Sequence, residues 1–401
     1  MGLQANQAHV LGRDQKFYVG AESTPGTFLK AATSQSCNCL SSSFVPNVNR
    51  TDRLDSYQAT RSVIERITGR EEHTWSYEGY WVPSGTKNTP VDLDPFLESV
   101  MGVTTTNAND VTYSLNSAQA MTTLSMTRHF NEIFQEALSG AWVEEMKLTL
   151  GGDEPKISFS GGAMSYAHTG YGTLDAAMGA STTTMVMQAA EKNIFMTNPS
   201  AVGGAGAGAR SVVQITDGVD TDTDVEVTVD TARPSFTTTA IGAAEQADDA
   251  DVTPYVPTHT DAGSPIDGSI IGTFTFDSFT AVVTGFELTL KNNIKELNDQ
   301  AWTPRTTDVI PGFRDVSGSM TMRVRQDHIV HIMNRIEFAT RAIALAVGGA
   351  AQSGTRLEVS VPTVEVLWSE VQAPVSEEAT ISLQWKALGS SGNDEFTLKH
   401  T

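Results

Sequence analysis

The stretch "RITGREEHTWSYEGYWVPSGTKNTPVDLDPFLESVMG" (66–102) decides the fold. Its segment "HTWSYEGYWV" (73–82) alternates apolar and polar residues with a period of two, the pattern of a half-buried strand. "PSGT" then supplies a Gly/Pro turn. "DPFLESVMG" (94–102) reads as a short helix, with Asp94 as N-cap, Pro95 at the first helical position and Gly102 as terminator. Asp92, Asp94 and Glu98 lie close enough in sequence to hold a divalent cation. A metal centre needs ligands converging from several elements, however, with neighbours that orient them. Phe96, Leu97 and Val100 take the buried side of this helix and leave Glu98 outside, so helix capping is the preferred role for Asp94.

The same two-residue alternation recurs outward from this stretch. It marks "VEEMKLTLGG" (143–152) and "PKISFSGGAM" (155–164), and in the second half "FTAVVTGFELTLKN" (279–292), "VSGSMTMRVR" (316–325), "TRLEVSVPTVEVLW" (355–368) and "EEATISLQWKAL" (377–388). A second helix is expected over "QDHIVHIMNRIEFATR" (326–341), where Ile329, Ile332, Met333, Ile336 and Phe338 form an apolar face. Its His328 and His331 share one face but lack the glutamate of an H-E-x-x-H zinc helix, which favours surface or interface histidines. The fold class is therefore mainly β.

Composition narrows the function. The 401 residues are 39% hydrophobic and 18% charged, enough to bury real cores. The formal net charge of −21 disfavours tight nucleic-acid binding, and Arg305, Arg314, Arg323 and Arg325 make only a sparse basic group. Cys37 and Cys39 sit one residue apart, poor geometry for a disulfide, and no second cysteine pair completes a zinc site. The N-terminus lacks a signal-peptide pattern and no apolar run is long enough to span a membrane, so a soluble cytoplasmic product is expected. No phosphate-binding glycine loop, nucleophile elbow or Ser/His/Asp ordering stands out, and no cofactor is implied.

The middle of the chain differs. From "GGAGAGARS" (203–211) to "AAEQADDADVTPYVP" (243–257) it is small, acidic and rich in turns, and reads as an inserted β domain. Asp217, Asp220, Asp222 and Asp224 faintly resemble a calcium loop but lack the EF-hand glycine and terminal glutamate, which favours a solvated turn. On either side, the halves look like distant copies. "FVPNVN" from Phe44 precedes "ITG" at Ile67 by nearly the interval that separates "FELTLK" at Phe286 from "IPG" at Ile310. The halves close on "KISFSGGA" from Lys156 and "TISLQWKA" from Thr380. The division is thus a first module with an N-terminal arm (1–180), an inserted domain (181–260) and a second module (261–401). In both modules the connection after the first strand, 50–65 and 292–309, is far longer than a hairpin needs, which marks a partner-binding loop.

Four segments in order carry a family resemblance. "FYVGAESTPGT" (17–27), the 66–102 stretch, "VIPGFRDVSGSMTMRV" (309–324) and "ISLQWKALGSSGNDEFTLKH" (381–400) together resemble the major tail tube proteins of long, non-contractile-tailed bacteriophages. The resemblance implies a β-sandwich or barrel with a flanking helix in each module, and subunits that polymerise into stacked rings around a bore. Two modules per chain imply rings of three chains with pseudo-sixfold symmetry, and an external inserted domain. The long loops would bridge successive rings, through Arg50, Asp52, Arg53, Asp55, Tyr57 and Arg61 in the first and Asn292, Lys295, Glu296, Asp299, Trp302 and Arg305 in the second. Further implied partners are tape measure and tail terminator proteins, with phage DNA passing an acidic bore without specific binding, and assembly in the host cytoplasm into the virion tail. Two other readings remain at this stage: a β-rich adhesin module that binds a receptor or glycan, and a metal-dependent hydrolase using Asp92, Asp94 and Glu98 or His328 and His331.

Overall fold

A computed structural model describes residues 14–52, 66–117, 121–151, 154–189, 211–232, 235–242, 245–261, 263–266, 272–276, 279–297, 306, 308–326, 340–373, 375 and 378–401. The mainly β expectation holds: among these residues there are two large bodies of antiparallel sheet and a single α-helix. The helix expected over 326–341 lies almost wholly outside the described residues.

The principal elements of the first half are β1 (Gln15–Ala21), β2 (Ser41–Asp52), β3 (Arg66–Tyr80), α1 (Asp94–Met101), β4 (Leu124–Phe130), β5 (Phe134–Leu150) and β6 (Lys156–Gly170). In β3 the alternation works as read: His73, Trp75 and Tyr77 are buried while Thr74 and Ser76 face outward. Following hydrogen bonds from strand to strand gives the order β2, β3, β6, β5, β4, β1. Strand β5 begins nine residues before the alternation at Val143 signals it. Its early part, "FQEALSGAW", is rich in poor strand formers but is paired on both edges, and that tertiary pairing overrides propensity.

The second half contributes β7 (Thr273–Phe276), β8 (Val283–Lys291), β9 (Asp315–Arg323), β10 (Arg341–Gly348), β11 (Arg356–Gln372), β12 (Thr380–Ala387) and β13 (Thr397–His400). Its hydrogen-bond order is β8, β9, β12, β11, β10, β7, the same sequence of corresponding strands. The register agrees as well. Ile157 faces Gly79 and Ile381 faces Met322, and Ile67 and Ile310 precede these partners by equal distances. One alignment shifts: Phe44 faces Trp75 while Leu288 faces Gly318, so Leu288, two residues past Phe286, is the counterpart of Phe44. A two-residue slip leaves the alternation unchanged, which is why the pattern alone does not detect it.

The halves are fused edge to edge. Beyond Val143, β5 leaves β4 and pairs over Glu145–Leu150 with Phe286–Lys291 of β8. Lys147–Glu287 and Lys291–Glu145 ion pairs, both at 3.0 Å, cross this junction. A second join is made by β13, whose Leu398 lies between Val359 of β11 and Tyr113 of the strand Val111–Leu115.

Beneath the first half, α1 inserts Phe96 among Phe17, Trp75, Tyr77 and Phe159, with ring centroids 4.8–6.2 Å apart. Buried aromatic packing of this kind dominates core energetics. The helix starts one residue earlier than read. Leu93 occupies the cap position and its carbonyl accepts the Leu97 N–H at 3.1 Å; Asp94 is the first helical residue and no side chain caps the end. Gly102 terminates the helix with φ 99°, the left-handed turn that glycine adopts without strain.

A separate six-stranded sheet spans Gly172–Thr173 to Asp251–Pro254 and encloses its own core, including Met185, Val213, Ile215, Phe236 and Val252. Lys30 ties it to the first half through Asp224 at 2.7 Å and Glu226 at 3.2 Å. No helix among the described residues is long and apolar enough to cross a membrane.

Candidate assembly surface

Because β5 pairs with β8, eight strands form one continuous antiparallel sheet in the order β2, β3, β6, β5, β8, β9, β12, β11. Successive side chains point to opposite faces, so each cross-strand row belongs to one face. One row runs Ser41, Glu78, Ser158, Lys147, Thr289, Ser317, Lys386, Glu365, polar at every strand. The next on the same face runs Tyr80, Lys156, Thr149, Glu287, Ser319, Gln384, Leu367. Between them lies the row Gly79, Ile157, Leu148, Leu288, Gly318, Trp385, Val366, which faces the core. The chain thus builds a broad wall, apolar behind and hydroxyl-rich in front.

Several cations on the front have partners. Lys147 and Lys291 pair across the junction, Lys386 reaches Asp315 at 2.9 Å, and the Lys156 ammonium lies 5.8 Å from the centre of the Tyr80 ring. A cation already held by a carboxylate has little left to offer a phosphate. This face is polar and carries cations and carboxylates side by side.

The loop residues singled out from the sequence separate into three groups. Arg50 and Asp52 close the β2–β3 hairpin, with Asp52 paired to Arg66 at 2.8 Å. Lys295 and Glu296 begin a short ribbon in which Lys295–Leu297 pairs with Asp308–Ile310, and Glu296 accepts a hydrogen bond from the Thr306 hydroxyl at 2.8 Å. Arg53, Asp55, Tyr57, Arg61, Asp299, Trp302 and Arg305 lie outside the described residues. Asn292 is buried in the single chain: its backbone N–H donates to Glu144 O at 2.9 Å and its amide to Val100 O at 3.0 Å. It holds the junction to α1.

The opening carboxylates do not converge. Burial pushes Asp92 up to about 6, against the Asn38 N–H that approaches at 3.4 Å. Burial likewise raises Asp94, with Tyr113 and Thr104 pulling the other way. Glu98 accepts instead from the Thr122 hydroxyl at 3.5 Å. The acidic string of the small sheet is also divided: Asp217 accepts the Val219 and Asp220 N–H groups, Asp222 holds Gly242 and Gln246, and Asp224 holds Lys30. Among the described residues, no three His, Cys, Asp or Glu side chains are placed to share a metal ion. Cys37 and Cys39 are both free thiols, raised by burial, Cys39 to about 11. His328 and His331 lie outside the described residues.

Two residues with clear structural work escape the sequence reading. Glu22 is buried and receives four hydrogen bonds, from Gly26 N, Thr123 Oγ1, Ser125 Oγ and Gly140 N, at 2.6–2.8 Å. Only its neighbours "GAESTPGT" signal a turn, and nothing local shows that strands 100 residues away supply its donors. Ser84, in the "PSGT" turn, hydrogen-bonds Thr86 O, Thr89 O and the His400 ring at 2.8–2.9 Å. The turn therefore anchors strand β13.

A search of curated proteins finds no match to the chain. A family model described as phage tail tube protein matches residues 12–387, which takes in both halves and the small sheet between them. With that span and with two like modules fused into one polar-faced wall, the chain belongs to the phage tail tube protein family and is a structural component of the virion tail.

Proposed function

We propose that three copies of this chain close into a ring whose bore is lined by the polar face of the eight-stranded sheet, and that such rings stack into the tube of a long, non-contractile tail. The observation that carries this reading is the internal junction: one chain already joins two like modules edge to edge, so it supplies two of six equivalent positions. Three such walls amount to 24 strands. With ~4.8 Å between strands tilted by about 40°, the backbone diameter is about 50 Å, wide enough for a DNA duplex. Hydroxyl groups and cations paired with carboxylates give a passing phosphate little to hold.

In this reading the 50–65 and 292–309 connections bridge successive rings and the small sheet stands outside. Tape measure and tail terminator proteins meet the tube along its bore and at its end. The role is structural, without a catalytic step. Electron microscopy of the purified chain tests the reading: stacked rings with threefold symmetry are expected, and rings of six chains, or no rings under assembly conditions, overturn it.

A further inference from the structure

The internal junction contains a template for the external one. In the first half, β5 is divided along its length: Phe134–Ala141 pairs with β4 and Glu145–Leu150 pairs with β8. In the second half, β11 is divided at the same place: Arg356–Val364 pairs with β10. Its continuation, Leu367–Gln372, pairs with β12 on one edge and has no strand on the other among the described residues. At the opposite end of the wall, β2 pairs only with β3 among the described residues, although its counterpart β8 is paired on both edges. Each chain thus carries one half of the junction at either end, both unfilled.

We propose that Leu367–Gln372 of one copy pairs antiparallel with Ser43–Asn47 of the next copy, in the register of the internal junction. This rests on the tube reading and gives it a specific contact. Registers against the shared neighbours fix the correspondence. Leu148 faces Ile157 as Val371 faces Ile381, and Glu145 faces Ser160 as Leu367 faces Gln384. On the other side, Phe44 corresponds to Leu288 and Asn47 to Lys291. Transferring Leu288–Leu148 and Lys291–Glu145 places Phe44 opposite Val371 and Asn47 opposite Leu367.

The exposed side chains agree with this occupant. Leu367 is 70% exposed and Val45 is 49% exposed in the single chain. An edge twelve residues long, as β2 is, invites pairing with another chain. Pro46, at the position of Leu290, withdraws one N–H from that ladder, which discourages unspecific pairing without altering the register. The chemistry of the two junctions differs. Lys147–Glu287 and Lys291–Glu145 join the halves inside the chain, whereas Asn47 and Leu367 replace the second pair outside, so the outer seam depends less on salt.

Paired cysteines test the register in the full-length chain. Directly opposed positions on antiparallel strands lie within disulfide reach, Cα separations being about 4.5–5.5 Å. Asn47→Cys with Leu367→Cys should cross-link assembled protein into covalent multimers on mild oxidation, seen on non-reducing gels. Val45→Cys with Leu367→Cys, two residues out of register, should give at least tenfold less. Glu145→Cys with Lys291→Cys serves as the intrachain control, and the parent, with only Cys37 and Cys39, sets the background. Both target positions are exposed, and micrographs of each variant show whether tubes have formed. Tubes that fail to cross-link at 47 and 367, or that cross-link better at 45 and 367, overturn the register and leave the tube reading standing. Failure of the unmodified chain to form tubes overturns both.

Discussion

Trp385 covers Gly318 directly: a Cβ added at Gly318 would lie 2.4 Å from the indole and 2.0 Å from the Glu287 carbonyl oxygen. At the equivalent place in the first half the sizes are reversed, with Trp75 on β3 facing Gly161 on β6. One indole fills each module at the same level, but from opposite strands. This exchange shows that the halves preserve a volume rather than a residue. Gly318→Ala should therefore destabilise the subunit by about 1–3 kcal/mol through overpacking against backbone that cannot yield. Urea unfolding of the purified chain measures it, and an unchanged midpoint would contradict the packing described.

Glu22 provides a second test. Its two carboxylate oxygens receive four donors in a buried pocket. Glutamine in its place keeps the shape but turns an NH₂ group toward two of those donors. Glu22→Gln should cost about 3 kcal/mol, because hydrogen bonds to a charged acceptor are lost and donors are left unpaired. Thermal unfolding at neutral pH reads the effect; a loss below about 0.5 kcal/mol would show that the pocket rearranges freely.

Asp92 sets a pH dependence of known sign. Its folded pKa of about 6 lies above the ordinary 3.8, so the folded state favours the protonated form. Well below pH 3.8 the carboxyl is neutral in both states. Between pH 3.8 and about 6 the unfolded chain ionises while the buried carboxyl stays protonated, and by the upper end about 3 kcal/mol of stability is lost. Asp92→Asn should match the parent in acid and exceed it by up to that amount at pH 8. Parallel stability curves for the two proteins across this range would refute the assignment.

The charge on the wall can be altered deliberately. Ser160 lies beside Glu145 and Ser76 on the polar face, within the proposed bore. Ser160→Lys should leave assembly intact and make tubes retain short duplex DNA, with retention falling steeply between 50 and 200 mM salt, since each added phosphate contact carries a counterion-release slope of about −0.9. Retention equal to that of the parent would place this face away from the bore.

The small sheet is closed at its base, where Leu174 N donates to Ala250 O at 3.0 Å. Replacing residues 175–249 with a short turn should therefore leave the base joined and the two modules folded. Tubes of normal symmetry are expected by electron microscopy. Their loss would show that the small sheet takes part in ring formation.

How much of this was legible in the sequence depends on the range of the interaction. The alternation in "HTWSYEGYW" and "TISLQWKA" identified strands because their packing is local and one-sided. The start of β5 was missed because "EALSGA" becomes strand only through partners on both edges. Asp94 was misplaced by one residue because the Leu93 carbonyl, rather than a side chain, begins the helix. The polar wall needed the β5–β8 pairing, which joins residues more than 130 positions apart and leaves no periodic trace. Asn292 looked like a loop residue because it follows the last alternating position of β8, while its partners Glu144 and Val100 come from the other half.

The position of β13 has a consequence for folding. Thr397–His400 lies between β11 and the strand Val111–Leu115, with His400 held by Ser84. The join to Val111–Leu115 unites residues more than 280 positions apart, from Thr397 with Ser114 to His400 with Val111. Closing a loop of that length is entropically costly and slow, so the bolt between the two modules forms after the strands it bridges are in place.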